Sequence, residues 1–469
     1  MFVVSCFLGH VLVLINELFR ARELLKSNRG TVFGIYAAAL SCITQSMAAK
    51  SVYVALPKKI TDVRVGSFPA LASLAYTNFR FLWAVTFFIS SSFWTYQVVI
   101  GWLVYDLTKS PMLTSFALGT QFLPMLVMAP VCGILSDRYN RQSLLAFVIA
   151  GKVVVMAIFA IVVMLGQIQV GYIFGFSILI GIMWCISINA RTSIVPDIVP
   201  RENLVNAYAL KGLAGNASGI IMPAMAGVLI ARSDAGYALI AGTLFLVAAT
   251  ISALGMNIKS VEATERGSRV GFNGFIEAVR FIKKESVILT LIILGVVPAL
   301  LLGPYITGLL PVYAAKILNL GPVGYGLLFS SLGAGSALGM ISVAVLGKFD
   351  SKGRLIMASL LLAIIGAALF SRSTSIVISL PILVVFSGAL ATFGTVNVAV
   401  IQTIVPGNLR GRVAGIAFIG AGIFPLGSLC SGALAQWLGA PNATLISALI
   451  TLILIAAIWN KLQPVWRFK

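Results

Sequence analysis

The chain has 469 residues, of which 59% are hydrophobic and only 10% charged, with a mean hydropathy of +1.04. Its 33 Lys and Arg against 13 Asp and Glu give a net charge of +20. Soluble domains carry about 45–50% apolar and about 25% charged residues, so a soluble enzyme, a disordered chain and a coiled coil are excluded and a polytopic helical membrane protein remains.

Residues 1–77 hold two short apolar runs, 1–16 and 31–49, with Arg20, Arg22, Lys26 and Arg29 between them. If both runs crossed a membrane, those four basic residues would lie outside, against the cytoplasmic bias of basic loops. Residues 1–16 also lack the basic start of a secretory signal. The stretch 1–77 reads as a cytoplasmic or surface-lying extension, or as untranslated with Met47 as a later start.

Twelve apolar segments follow, at 80–105, 112–136, 143–166, 169–190, 206–231, 235–257, 287–311, 323–347, 354–371, 374–404, 412–438 and 441–461. Each suits a membrane helix of about 20 residues. The loop 258–286 divides them into a six-helix bundle over 78–257 and a second over 287–469 with a short tail. Within that loop Phe272, Phe275, Ile276, Val279 and Ile282 recur at helical spacing, with Glu277, Arg280, Lys283 and Lys284 opposite. This is the pattern of an amphipathic helix on the membrane surface, and it reads as a connector between the halves.

Sixteen basic residues, from Arg138 to Arg412, fall in the even-numbered loops, against four (Lys109, Arg232, Lys316, Arg372) in the odd ones. The positive-inside bias then puts both termini in the cytoplasm. It also explains the pI of about 10.0 without nucleic acid as a partner, since no soluble domain gathers the charge. Five scattered cysteines with no CxxC, and His10 as the one histidine, suggest neither a metal site nor a cofactor.

The halves echo each other. Val104-Tyr105 recurs as Val312-Tyr313, Asn189 as Asn397, and Ile198-Val199-Pro200 as Ile404-Val405-Pro406, in the same order and at nearly the same offset. Asn203-Leu204 likewise matches Asn408-Leu409. Two parallel six-helix repeats are a transporter architecture, with the substrate path between them.

The loop after the second segment reads Gly133-Ile134-Leu135-Ser136-Asp137-Arg138-Tyr139-Asn140-Arg141. It resembles the major facilitator superfamily motif Gly-x-Leu-(Ala/Ser)-Asp-Arg-x-Gly-Arg-(Arg/Lys), with Asn140 and Gln142 as departures. Asn tolerates a left-handed backbone, so the turn is expected to survive. The stretches Arg191–Ala207 and Val405–Val413 are similar to markers of the enterobactin-exporter and macrolide-efflux branch. The resemblance covers about 78–460. It implies an all-α major facilitator fold of twelve transmembrane helices in two six-helix pseudo-repeats, working by alternating access. It also implies a conformational latch of Gly133, Asp137, Arg138 and Arg141, with Asp137 meeting the start of helix 11 near Arg412. The alternative is a surface ion pair of little value. Gly215-x3-Gly219-x3-Pro223-x3-Gly227 resembles the antiporter motif of drug exporters. Pro223 and its counterpart Pro425 are candidates for helix bends, and generic small-residue packing is the alternative.

Intramembrane ionisable groups are functional candidates. Asp106, at the outer end of the first helix, is the acidic residue nearest the path and the candidate for proton coupling; a helix-end pairing with Lys109 is the alternative. Lys152 stands mid-helix without an acidic partner in the sequence, and snorkelling, ion pairing and facing the cavity all remain open. Helices 1, 4, 7 and 10 line the cavity in this superfamily. Here they offer Trp94, Gln97, Trp184, Asn189, Tyr305, Asn397 and Gln402, a wall suited to a bulky amphiphile.

The resulting expectation is a monomeric exporter of a small amphiphile of drug, macrolide or siderophore type. It would sit in the cytoplasmic membrane, exchange its substrate for protons and need no cofactor. The alternatives are an importer or uniporter of the same fold, or a non-transporting sensor or scaffold. A membrane enzyme lacks any nucleophile–base or metal constellation in the sequence.

Overall fold

A proline and a left-handed residue make the first tight turn. The helix α1 (Thr77–Thr108) ends where Lys109 takes φ 52° and its N–H reaches back to Tyr105 O at 2.8 Å. Ser110 then caps the next helix, accepting from Leu113 N–H, and Pro111 occupies its first turn, where no donor is needed. The computed structural model describes residues 69–128, 135, 139–258, 272–346, 352–406, 409, 413 and 422–466.

After α1 come α2 (Pro111–Met128), α3 (Arg141–Met164), α4 (Val170–Ile198), α5 (Leu204–Arg232) and α6 (Ala235–Leu254). The helix α7 (Phe272–Lys284) forms where the amphipathic connector is expected, with Ile282 buried and Glu277, Arg280, Lys283 and Lys284 exposed. The second set is α8 (Ser286–Ile317), α9 (Pro322–Leu346), α10 (Lys352–Ser371), α11 (Ile376–Ile404), α12 (described from Phe424 to Leu438) and α13 (Ala440–Trp466). Eleven of the described helices are long and apolar enough to span a membrane, and α12 completes the set of twelve. The outer faces carry exposed Phe147, Val377 and Trp437, as lipid contact requires.

The two halves pack alike, as the repeat demands. In the first, α3 lies against α4 and α6; in the second, α10 lies against α11 and α13. Much of the apolar core of the second half gathers around α8, α9, α10 and α11.

Several boundaries and roles differ from the sequence expectation. Arg191 and Asp197, beyond the expected segment 169–190, lie inside α4, which runs to Ile198 past Pro196. Polar residues do not end a helix whose backbone can still be satisfied, so hydropathy cuts this span short. Asn140 has φ −57° and ψ 120°, not a left-handed conformation. It caps α3 instead, its side chain accepting from Gln142 and Ser143 N–H. Residues 69–76 belong with the bundle: a short 3₁₀ helix, Pro69–Ala75, docks on α5 through Ser73 N–H to Asn206 Oδ1 at 3.0 Å. The expectation for 1–68 lies outside the described residues.

The largest helix irregularity is in α8 rather than at Pro223 or Pro425. Pro298, Pro304 and Pro311 interrupt its donors, and two π segments, Pro304–Gly308 and Tyr313–Ile317, absorb the disruption. Pro223 sits inside the continuous α5, and Pro425 in the first described turn of α12.

A candidate transport path between the halves

Two seams join the halves. Along the first, α5 runs against α9. A methyl group at Gly326 would collide with the Pro223 carbonyl and stand 3.2 Å from the Cα of Ala224 and of Gly227. Gly333 meets the Gly219 backbone as closely, and Ala224 N–H donates to Ser330 Oγ at 3.0 Å. The small residues of the fifth segment therefore serve to bring two backbones together.

Along the second seam α2 runs against α12. Ser110 Oγ donates to Gln436 Oε1 at 3.1 Å, Ser115 and Ser431 hydroxyls meet at 2.8 Å, and Gly119 abuts Ser428 and Pro425. Between the seams Trp102 stacks on Tyr325 (centroids 6.1 Å apart), and Trp94 meets Phe329 edge-on at 5.9 Å. Below them, Phe93 stacks on Trp184, both meet Phe122, and Phe122 crosses to Phe424 at 5.2 Å.

The Ser110–Gln436, Ser115–Ser431, Trp102–Tyr325 and Gly326–Pro223 contacts lie toward the end that holds the Lys109–Ser110 and Leu318–Gly321 turns, and they close that end; the aromatic layer lies near mid-helix, and Asn216 Nδ2 with Met340 Sδ joins the halves beyond it. Toward the other end Asn189 and Thr192 on α4 and Thr403 on α11 are exposed, and Gln402 is half-exposed. Polar side chains exposed on helices whose outer faces are apolar fit a water-filled cleft.

The candidate cavity residues thus divide. Trp94 and Trp184 stand in the aromatic layer under the seal. Gln97 is buried near it, with its Oε1 unpartnered among the described residues. Tyr305 and Asn397 are buried in the second half, where Asn397 Nδ2 donates to Leu291 O at 3.1 Å. Asn189 donates to Cys185 O within its own helix. Lys152 is buried inside the first half, where it shares a cavity with Phe93 of the aromatic layer.

Asp106 lies at the sealed end, 61% exposed, paired with Lys109 at 2.6 Å. This geometry fits the helix-end alternative better than a buried proton site. Of the latch, Gly133, Asp137, Arg138 and Arg412 lie outside the described residues. Arg141 is described, and its partner is one the sequence did not suggest: Nη1 pairs with Asp197 at 2.8 Å and donates to Ser193 O at 2.9 Å. Gln142, the departure from the motif, is also engaged. Its Nε2 donates to Ala253 O and Met256 O, and its Oε1 accepts from Ile258 N–H.

A twelve-helix bundle in two repeats whose halves meet along two seams has the architecture of a transporter of the major facilitator class. The chain belongs to the transmembrane secretion effector family of that superfamily, whose model matches residues 68–467. It is similar to the staphyloferrin A transporter of Staphylococcus aureus, 24% identical over 73% of this chain and 87% of that protein. It is also similar to the multidrug efflux pump Tap of Mycolicibacterium fortuitum, 24% identical over 77% and 90%. The enterobactin exporter EntS of Salmonella typhimurium (21%, over 64% and 70%) and macrolide efflux protein A of Streptococcus pyogenes (23%, over 56% and 65%) match too. Among solved structures, the nucleoside transporter NupG shares the fold with a TM-score of 0.65 at 14% identity, over 82% of this chain and 99% of that one.

Proposed function

We propose that this protein exports a small amphiphile of drug, macrolide or siderophore type in exchange for protons, as a monomer. Relatives at modest identity that are named as siderophore, macrolide and multidrug exporters support export. The positive-inside bias supports cytoplasmic termini, which turns the sealed end outward and the open cleft toward the cytoplasm. A cleft open to the cytoplasm is the loading state of an exporter. The observation that carries this reading is the seal itself, two glycine- and serine-lined seams closing one end while polar groups of α4 and α11 stay exposed at the other.

The aromatic layer of Phe93, Trp94, Phe122 and Trp184 at the head of the cleft offers stacking faces to a bulky apolar body. The test is retention of dyes, macrolides and siderophores in cells lacking their own exporters, with and without a protonophore. Protonophore-sensitive loss of a compound supports the reading. Unchanged retention across a broad panel, with the protein verified in the membrane, overturns it.

A further inference from the structure

The chain has no acidic residue in the interior of any described span. Asp106 lies in the last turn of α1 and Asp234 caps α6; Asp197 and Glu202 flank the α4–α5 turn; Glu277 and Glu285 belong to the connector. His10, the one histidine, lies far outside the bundle sequence. Among the described residues, a proton carried through the middle of the bundle therefore has to rest on some other group.

Lys152 lies eleven residues into α3, about 16 Å along the helix from its start. It is 3% exposed. It lines a cavity walled by Ser92, Phe93 and Tyr96 of α1, Met156 of α3, Ile180 of α4 and Leu246 of α6. The cavity has about 10 Å³ of free room, enough for one water molecule.

The groups facing it are few. On α1 the Tyr96 hydroxyl is engaged with Ser177 Oγ at 2.7 Å. On α4 Ile180 lines the cavity, and Arg191, further along the helix, is the buried charged group. On α6 the neighbours at this level, Gly242 and Leu246, carry no charge. A charged ammonium in such a place is far more costly than a neutral amine. Whether Lys152 holds a proton thus depends on how α1 and α4 pack around it.

That packing is tied to the seal. Phe93 walls the Lys152 cavity and also stacks on Trp184, and through Phe122 and Phe424 the stack reaches the second half. We propose that Lys152 is the residue that takes up and releases the coupling proton. The step is a proton transfer alone: the amine lone pair takes a proton from water on one side of the membrane and returns it to water on the other. This assignment rests on the proton-exchange reading above and names its carrier.

The test uses the full chain in lipid nanodiscs, its native cysteines replaced. Spin labels go on Val205 of α5 and Val345 of α9, exposed side chains toward the open end on opposite halves. The distance distribution between them is measured from pH 5 to pH 9. The wild type is expected to shift between two populations as a single proton binds. Lys152→Met is expected to be flat across the range, and Lys152→Arg flat but held at the opposite population. A Lys152→Met or Lys152→Arg protein that titrates like the wild type overturns the assignment, as does a wild type that does not titrate. If only one variant reaches the membrane, it decides the matter alone. Efflux separates this failure from the failure of the exporter reading. Protonophore-sensitive efflux persisting in Lys152→Met removes Lys152 and leaves proton-driven export standing, whereas efflux indifferent to protonophore in the wild type removes proton exchange.

Discussion

Arg141, the first residue of α3, and Asp197, in the last turn of α4, form an ion pair at 2.8 Å with side chains only 20% and 12% exposed. The guanidinium also donates to Ser193 O, so it binds the end of α4 at two points. The pair joins two helices of one half at the open end.

A partly buried pair of this kind costs more to break than a surface pair. Asp197→Ala, which leaves the half-buried Arg141 without its carboxylate, is expected to lower stability by about 1–3 kcal/mol. Thermal unfolding in detergent reads this. A double-mutant cycle with Arg141→Ala should show coupling above about 1 kcal/mol, and additive losses would mean the pair contributes no more than a surface contact.

Gln142 ties the start of α3 to the end of α6 through three hydrogen bonds. Gln142→Ala is expected to destabilise by about 1–3 kcal/mol, because backbone groups at the α6 terminus lose their partner. Gln142→Lys, the type of residue more usual in the motif, keeps a donor but loses the acceptor for Ile258 N–H. Its loss of stability should fall between those of wild type and alanine in the same assay.

The α5–α9 seam has no room for a side chain at Gly326. Overpacking costs roughly 1–3 kcal/mol, enough to shift a two-state population about fivefold or more. If the halves move as rigid bodies, Gly326→Val also loosens the other seam, where Ser115 is fully buried. A cysteine at Ser115 should then react with an impermeant maleimide several-fold faster in the Gly326→Val background. Unchanged labelling would mean that the two seams open independently.

Asp106 and Lys109 are mostly exposed, and such a pair is screened by solvent. Asp106→Asn should change stability by less than about 0.5 kcal/mol and leave protonophore-sensitive efflux intact. Loss of proton-driven efflux in this variant, with normal expression, would return the coupling role to Asp106.

Much of this was legible in the residues in order. Hydropathy located all twelve segments, because a bilayer demands about 20 apolar residues per span and accepts little else. Matched residues such as Val104-Tyr105 and Val312-Tyr313 exposed the duplication. The loop motif pointed to the superfamily. The amphipathic period over 272–284 marked the connector. These are local or periodic properties, which a linear chain displays without folding.

Other features depend on which helix meets which. Arg191 read as a loop marker of topology until the bundle closed around it inside α4. Asp197 became a partner for Arg141 only when the ends of α3 and α4 met. The glycines of α5 looked like ordinary membrane-helix packing until Gly326 and Gly333 of α9 came to lie against them. Lys152 stayed open among surface, ion pair and cavity because burial depends on three neighbouring helices. Hydropathy and charge along the chain reflect its solvent, water or lipid, and so set the number of spans and the class of protein. Partners across a helix interface are separated by tens to hundreds of residues, so the seal, its aromatic layer and the solitary lysine beside it arise only from packing.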